Sequence, residues 1–132
     1  MGLFDKIFKS EREVVKKEIV AVPWHPLEHM EQLSEIEQKS HQVPVVIFKH
    51  STRCGISRMV LGNLEKDFDL PKDGDYQLYF LDLLKNREIS AEIQSRFGVV
   101  HESPQLLVIR NGKCIYHRSH HGIDFQELKQ NL

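Results

Sequence analysis

Cysteine is scarce in this 132-residue chain: there are two, Cys54 and Cys114, 60 residues apart. That is too few for a disulfide scaffold, and neither belongs to a C-x-x-C pair. Long apolar runs are missing as well, since no stretch reaches the ~18 residues of a membrane-spanning helix. The first residues, MGLFDKIFKS, lack the unbroken apolar core of a secretory signal, and Lys6 breaks any myristoylation pattern after Gly2. An excess of one charge is absent, with 18 Lys and Arg facing 19 Asp and Glu. This near balance argues against a dedicated nucleic-acid binder, which needs a basic surplus. What is present, 40% apolar and 28% charged residues, is ordinary for one soluble domain able to bury its own core. A cytoplasmic protein is expected, with no nucleic-acid partner and no membrane span. In that reducing setting an important cysteine is reactive more often than structural.

Residues 1–17 differ from the rest. Leu3, Phe4, Ile7 and Phe8 share one helical face, and a charged run follows, so this part is set apart as an N-terminal amphipathic and charged extension. Residues 18–132 form the domain. Its pattern predicts a strand at Ile19–Trp24 and a helix over 27–41 with Leu27, Met30, Leu33 and Ile36 inward. A doubly buried strand follows at Val43–His50, then a helix from Gly55 to Phe68 with Met59, Val60, Leu64 and Phe68 inward. A strand at Tyr76–Leu83 precedes a helix at Arg87–Phe97 capped by Gly98. Strand Gln105–Arg110 turns at Asn111-Gly112 into an antiparallel return, and a helix at 125–132 closes the chain. The order β-α-β-α-β-α-β-β-α implies an α/β fold. Its central sheet is mostly parallel, with helices on both faces and a C-terminal antiparallel hairpin. Ligands in such sheets sit beyond the carboxyl ends of the strands.

Strand 43–50 ends just before Cys54, which opens the next helix. A thiol at a helix head faces unpaired N–H groups and the positive end of the helix dipole, and both favour thiolate. Arg53 and Arg58 add positive charge on either side, which suits a nucleophilic cysteine. Ser57 lies one turn on, where a dithiol enzyme carries its second cysteine. A hydroxyl there can hydrogen-bond a thiolate but cannot form a disulfide, so the site is monothiol and needs an outside thiol for turnover. Ser103-Pro104, immediately before a strand, is a candidate cis peptide whose backbone could pair with an incoming chain near Cys54.

The loop Ile47-Phe48-Lys49-His50-Ser51-Thr52-Arg53-Cys54-Gly55-Ile56-Ser57, with Trp24, Leu27 and Ser103-Pro104-Gln105, resembles the YtxJ-type monothiol bacilliredoxin family of the thioredoxin fold. The resemblance covers about residues 18–132. It implies a thiol-disulfide oxidoreductase that reduces mixed disulfides between proteins and bacillithiol, a low-molecular-weight thiol. Cys54 would be the nucleophile and Pro104 the cis-proline. No tightly bound cofactor is implied; bacillithiol is the cosubstrate and bacillithiol-modified proteins are the partners. Arg53, Gly55, Ile56, Ser57, Arg58, Ser103 and Pro104 are the residues expected to stabilise the thiolate or bind substrate, with His50 and Thr52 as further candidates. Gly55 departs from the family, many of whose members carry Pro or Ser there.

Cys114, His117, His120 and His121 invite a metal reading. Strand parity sends Cys114 and His117 to opposite faces, however, and no second pair completes a ligand set, so no metal is expected. Two other classes stay open: a peroxide-reducing or peroxide-sensing single-cysteine protein, and a non-catalytic adaptor using the fold as a docking surface.

Overall fold

A computed structural model describes residues 22–132. The 1–17 extension and the start of the strand expected at Ile19–Trp24 lie outside the described residues. The elements are β1 (His25–Pro26), α1 (Glu31–Lys39), β2 (Val45–His50), α2 (Gly55–Asp67), β3 (Gln77–Asp82), α3 (Arg87–Phe97), β4 (Gln105–Arg110), β5 (Lys113–Ser119) and α4 (Phe125–Lys129), with a 3-10 turn at His120–Gly122 before α4. The five strands form one sheet in the order β1-β3-β2-β4-β5. The pairs β1–β3 and β3–β2 are parallel, whereas β2–β4 and β4–β5 are antiparallel.

Period-two alternation explains the continuous apolar run of β2. Val46 and Phe48 enter one core with Val60 and Leu64 of α2 and Phe125 and Leu128 of α4. Val45 and Ile47 enter a second core with Leu33 and Ile36 of α1 and Ile89 and Ile93 of α3. A strand covered on both faces has no polar side, which is why its sequence does not alternate.

Several boundaries differ from expectation. The first described strand is His25–Pro26 rather than a segment ending at Trp24. Proline is tolerated there because β1 is an edge strand with one unpaired side. Helix α1 begins at Glu31, not at 27: Leu27 is fully buried but precedes the helix, and Met30 at its N-terminus is exposed. Met59 is 50% exposed, so the inner face of α2 is carried by Ser57, Val60 and Leu64 instead. The closing helix stops at Lys129. Gly98 takes a left-handed C-cap with φ 69°, and Asn111 and Gly112 both have positive φ, as a two-residue hairpin requires.

The β4–β5 ladder corrects one parity argument. It is irregular at Val108/Ile109, so that Tyr116 pairs with Val108 but Cys114 with Ile109. One extra residue in β5 resets the alternation. Ile109 and Leu107, the partners of Cys114 and His117, both face the α1/α3 core, so these two residues share a face after all. Among the described residues no group of three or more His, Cys, Asp or Glu is placed to hold a metal.

Cys114 pairs with Ile109, which pairs with Val45 at the start of β2, whereas Cys54 follows the end of β2. Five residues of strand put the two cysteines at least roughly 16 Å apart along the sheet. A disulfide tolerates only about 7 Å between Cα atoms. Oxidation of the protein should therefore leave no intramolecular disulfide. A non-reducing intact mass two units lighter, with both thiols blocked to alkylation, would show this topology to be wrong.

Candidate functional site

The site is assembled where β2 and β4 lie side by side. Because they are antiparallel, Lys49 near the end of β2 stands opposite Gln105 at the start of β4. The loop leaving β2 and the Ser103–Pro104 segment entering β4 therefore occupy the same edge of the sheet. The Ser103–Pro104 peptide is cis. The Pro104 carbonyl accepts a 3.0 Å hydrogen bond from the His120 N–H, and the turn that His120 begins packs against α2. His120 has φ 54°, a left-handed conformation that is costly for a residue with a Cβ.

Residues 51–54 form a tight turn, closed by the Cys54 N–H donating to the Ser51 carbonyl at 3.1 Å. Cys54 is the N-cap of α2, with extended backbone at φ −98° and ψ 117°, and its carbonyl takes the first helical hydrogen bond from Arg58. Its thiol is partly exposed and makes no cap hydrogen bond of its own. Thr52, Arg53, Gly55, Ile56 and Arg58 are all exposed around it, and neither arginine is paired with a carboxylate among the described residues. Nothing lies within 4 Å of where a Gly55 side chain would start, so a Cβ here meets no neighbour. Beside the turn, Ser103 Oγ is buried without a hydrogen-bond partner.

Ser57 behaves differently from its neighbours. It is fully buried, accepts from the Ser51 N–H at 3.1 Å, and lies 2.8 Å from His50 Nδ1. All three groups are satisfied when Oγ accepts from the amide and donates to an unprotonated Nδ1. The hydroxyl expected to face the thiolate is thus engaged inward with His50. Burial holds the His50 imidazole below its ordinary range; Asp82 opposes this and Arg58 reinforces it. His50 packs against the rings of Phe80 and Phe48 at 5.4 and 6.3 Å.

The sequence reading missed a second polar cluster on the other face of β2. Lys49 is fully buried, with Nζ 2.6 Å from His101 Nδ1 and 2.9 Å from Gln105 Oε1. Gln105 also donates to the Val100 carbonyl and accepts from the Glu102 N–H, and Ser90 Oγ lies 3.2 Å from His101 Nδ1. Burial pushes the Lys49 ammonium down to about 8, with the charge of Glu102 opposing. Burial and the Lys49 charge together hold His101 below its ordinary range. One signal for this cluster was in the sequence: a lysine inside an otherwise apolar strand, at a position whose parity points inward. Cys114 is remote from both clusters. Its thiol donates to the Tyr116 carbonyl at 3.2 Å, and burial pushes it up.

Comparison with known proteins places this geometry. Residues 25–128 match the model of a protein family described as Monothiol bacilliredoxin BrxC. Among solved structures, a candidate oxidoreductase with a thioredoxin fold is 27% identical, with a TM-score of 0.70 over 85% of this chain and 95% of that one. Malassezia sympodialis thioredoxin is 22% identical, with a TM-score of 0.63 over 82% of this chain and 86% of its own. Fasciola hepatica thioredoxin, 19% identical, gives 0.62 over 81% and 94%. The two thioredoxins share the fold.

Two outcomes are expected. Ser57→Ala leaves the Ser51 N–H and His50 Nδ1 without a partner in a buried place, which should cost about 1–3 kcal/mol in urea unfolding; a variant as stable as the parent would refute this hydrogen-bond assignment. Lys49 holds its proton less tightly folded, near 8, than unfolded, near 10.5. Between those values the unfolded chain carries more protons, so stability should rise with pH by at most roughly 1 kcal/mol per unit. Taking wild type minus Lys49→Met isolates this slope from other groups; equal slopes in the two proteins would contradict it.

Proposed function

The chain belongs to the monothiol bacilliredoxin family, and from that membership we propose that it reduces mixed disulfides between proteins and bacillithiol through Cys54 alone. Family and fold make it a thiol oxidoreductase; the substrate and the residue roles are the proposal. The observation that supports it most is the pairing of a partly exposed cysteine at the head of α2 with a serine, not a cysteine, one turn later. That serine is held inward by His50 and Ser51, so no second thiol stands ready beside Cys54.

The reaction is two exchanges. The Cys54 thiolate attacks the bacillithiol sulfur of the mixed disulfide, the sulfur–sulfur bond breaks, and the client leaves as a thiolate that takes up a proton. Bacillithiol is then joined to Cys54 by a new disulfide. A second low-molecular-weight thiolate attacks the bacillithiol sulfur, the small disulfide departs, and the Cys54 thiolate is restored. The net change consumes one free small thiol: the client cysteine returns to thiol, and the disulfide ends between the bacillithiol sulfur and the second small thiol.

In this reading the unpaired N–H groups of the first turn of α2 and the Arg53 and Arg58 cations favour the attacking and departing thiolates. Both arginines also attract anionic substrate. The cis Ser103–Pro104 segment, lacking a backbone N–H at 104, flanks the path of the incoming disulfide with its backbone. Exposed Ile56, 42% accessible, and Thr52 contact the client. A reducing, cytoplasmic compartment suits this chemistry.

Incubation with oxidised bacillithiol at pH 7 should give one adduct, mapped to Cys54, while Cys114, whose thiol is engaged by the Tyr116 carbonyl and pushed up by burial, stays free. Cys54→Ser should abolish release of bacillithiol from a modified client protein. Ser57→Cys should convert the site to one that closes on itself. Faster reaction with oxidised glutathione than with oxidised bacillithiol would overturn the substrate assignment, and an adduct mainly on Cys114 would overturn the mechanism.

A further inference from the structure

The Lys49 cluster borders a cavity of about 440 Å³ between α3 and the segment after β3. Leu83 and Leu84 supply apolar wall, and Arg87, Ser90, Gln94 and His101 supply polar groups; no Asp or Glu lines it. The polar groups are organised as donors. His101 Nδ1 is taken by the Lys49 ammonium, so the ring proton resides on Nε2, on the far side of an exposed imidazole. Gln94 spends its oxygen on the His101 N–H at 2.8 Å, which leaves its amide N–H groups free to donate. Arg87 is exposed and forms no ion pair among the described residues. Behind His101 stands a fully buried lysine with two neutral direct partners and no ion pair. Its charge therefore acts on whatever occupies the cavity, through a low-dielectric wall. Glu102 beside His101 in sequence acts on both Lys49 and His101 but does not line the cavity. A concavity lined by donors, with two nearby cations and no acid in its wall, is complementary to an anion with some apolar body.

The cavity lies at the same end of the sheet as the Cys54 turn: the N–H of Leu83 in its wall donates to the His50 carbonyl at 3.0 Å, and His101 is two residues before Ser103–Pro104. We propose that it is the subsite for a carboxylate of the low-molecular-weight thiol, with Arg87, Gln94 and His101 Nε2 as its donors. Lys49 acts through His101 as a positioning residue. This rests on the reading of the protein as a reductase of small-thiol mixed disulfides, and it names what part of that thiol is recognised and where. It adds a specificity element: a thiol without a carboxylate has nothing to place here.

The test is an amide-shift titration of the full chain carrying Cys54→Ser, which binds without exchange. Three probes are used: reduced bacillithiol, malate as a free dicarboxylate, and 2-mercaptoethanol as a thiol without a carboxylate. Bacillithiol and malate should shift the amides of residues 83–95 and 101 saturably; 2-mercaptoethanol should not. Adding Arg87→Gln, an exposed change that spares the core, should raise the apparent Kd at least about fivefold. His101→Gln should do the same while amide dispersion shows the fold intact. Unmoved amides in 83–95 and 101, or equal affinity in the Arg87→Gln protein, would overturn the subsite. The wild-type adduct with oxidised bacillithiol, read by intact mass, separates the two ideas. An adduct without these shifts overturns the subsite alone. Shifts without an adduct leave an anion site but remove the small thiol from it.

Discussion

The antiparallel pairing of β2 with β4 is the constraint on which the site depends. It places the carboxyl end of one strand beside the amino end of the other, with Lys49 opposite Gln105. Were β4 parallel to β2, the Ser103–Pro104 segment would lie a strand length away from Cys54, roughly 16 Å. The ladder is reinforced at this edge by a side-chain link, Lys49 Nζ to Gln105 Oε1 at 2.9 Å. Gln105 then holds the Val100 carbonyl and the Glu102 N–H, so one glutamine satisfies much of the loop that delivers the cis peptide. Buried backbone groups must be paired, and here the pairing also fixes geometry.

Alternation along β2 divides its last two residues between two polar clusters. His50 turns toward α2 and meets Ser57, while Lys49 turns toward α3 and meets His101. The first cluster gives a structural reason for a serine at the monothiol position. A hydroxyl can accept from the Ser51 amide and donate to imidazole at full strength, whereas a thiol does both weakly. The residue that removes the second redox group is therefore the one that ties the turn 51–54 to the helix and the strand. The absence of a resolving thiol and the rigidity of the cysteine turn thus rest on one residue, Ser57.

Much of this was legible in the sequence. The element order and the Asn111-Gly112 hairpin follow from period and turn chemistry, and the helix-head cysteine and cis peptide from their positions beside strands. What was not legible depends on tertiary pairing. Of the strand expected at Ile19–Trp24, the described residues 22–24 are not strand and His25–Pro26 is, because a two-residue edge strand carries almost no pattern. Met59 was assigned inward because helical spacing alone does not say which stripe meets the sheet. Cys114 and His117 were separated by a parity that one extra residue in β5 reverses. The role of Lys49 is not legible in its motif, because its partners, His101 and Gln105, are 52 and 56 residues away and meet it only through the β2–β4 pairing.

The Lys49 cluster is a poor device for stability alone. A buried ammonium is costly unless paired, and its direct partners are neutral. An apolar residue of similar length would avoid that cost, as replacements of buried ions often do. A carboxylate placed beside Lys49 would also lower it, but would cancel the positive potential at the cavity mouth. Neutral acceptors do something different. They satisfy the ammonium's hydrogen bonds without a direct ion pair, the Glu102 charge offsetting it only in part, and His101 passes donor character outward to Nε2. That arrangement has a natural completion in an anion arriving from solvent, whose binding adds to the partial compensation from Glu102. It also predicts the sense of the coupling: an anion seated against His101 raises the proton affinity of Lys49, just as a protonated Lys49 favours the anion.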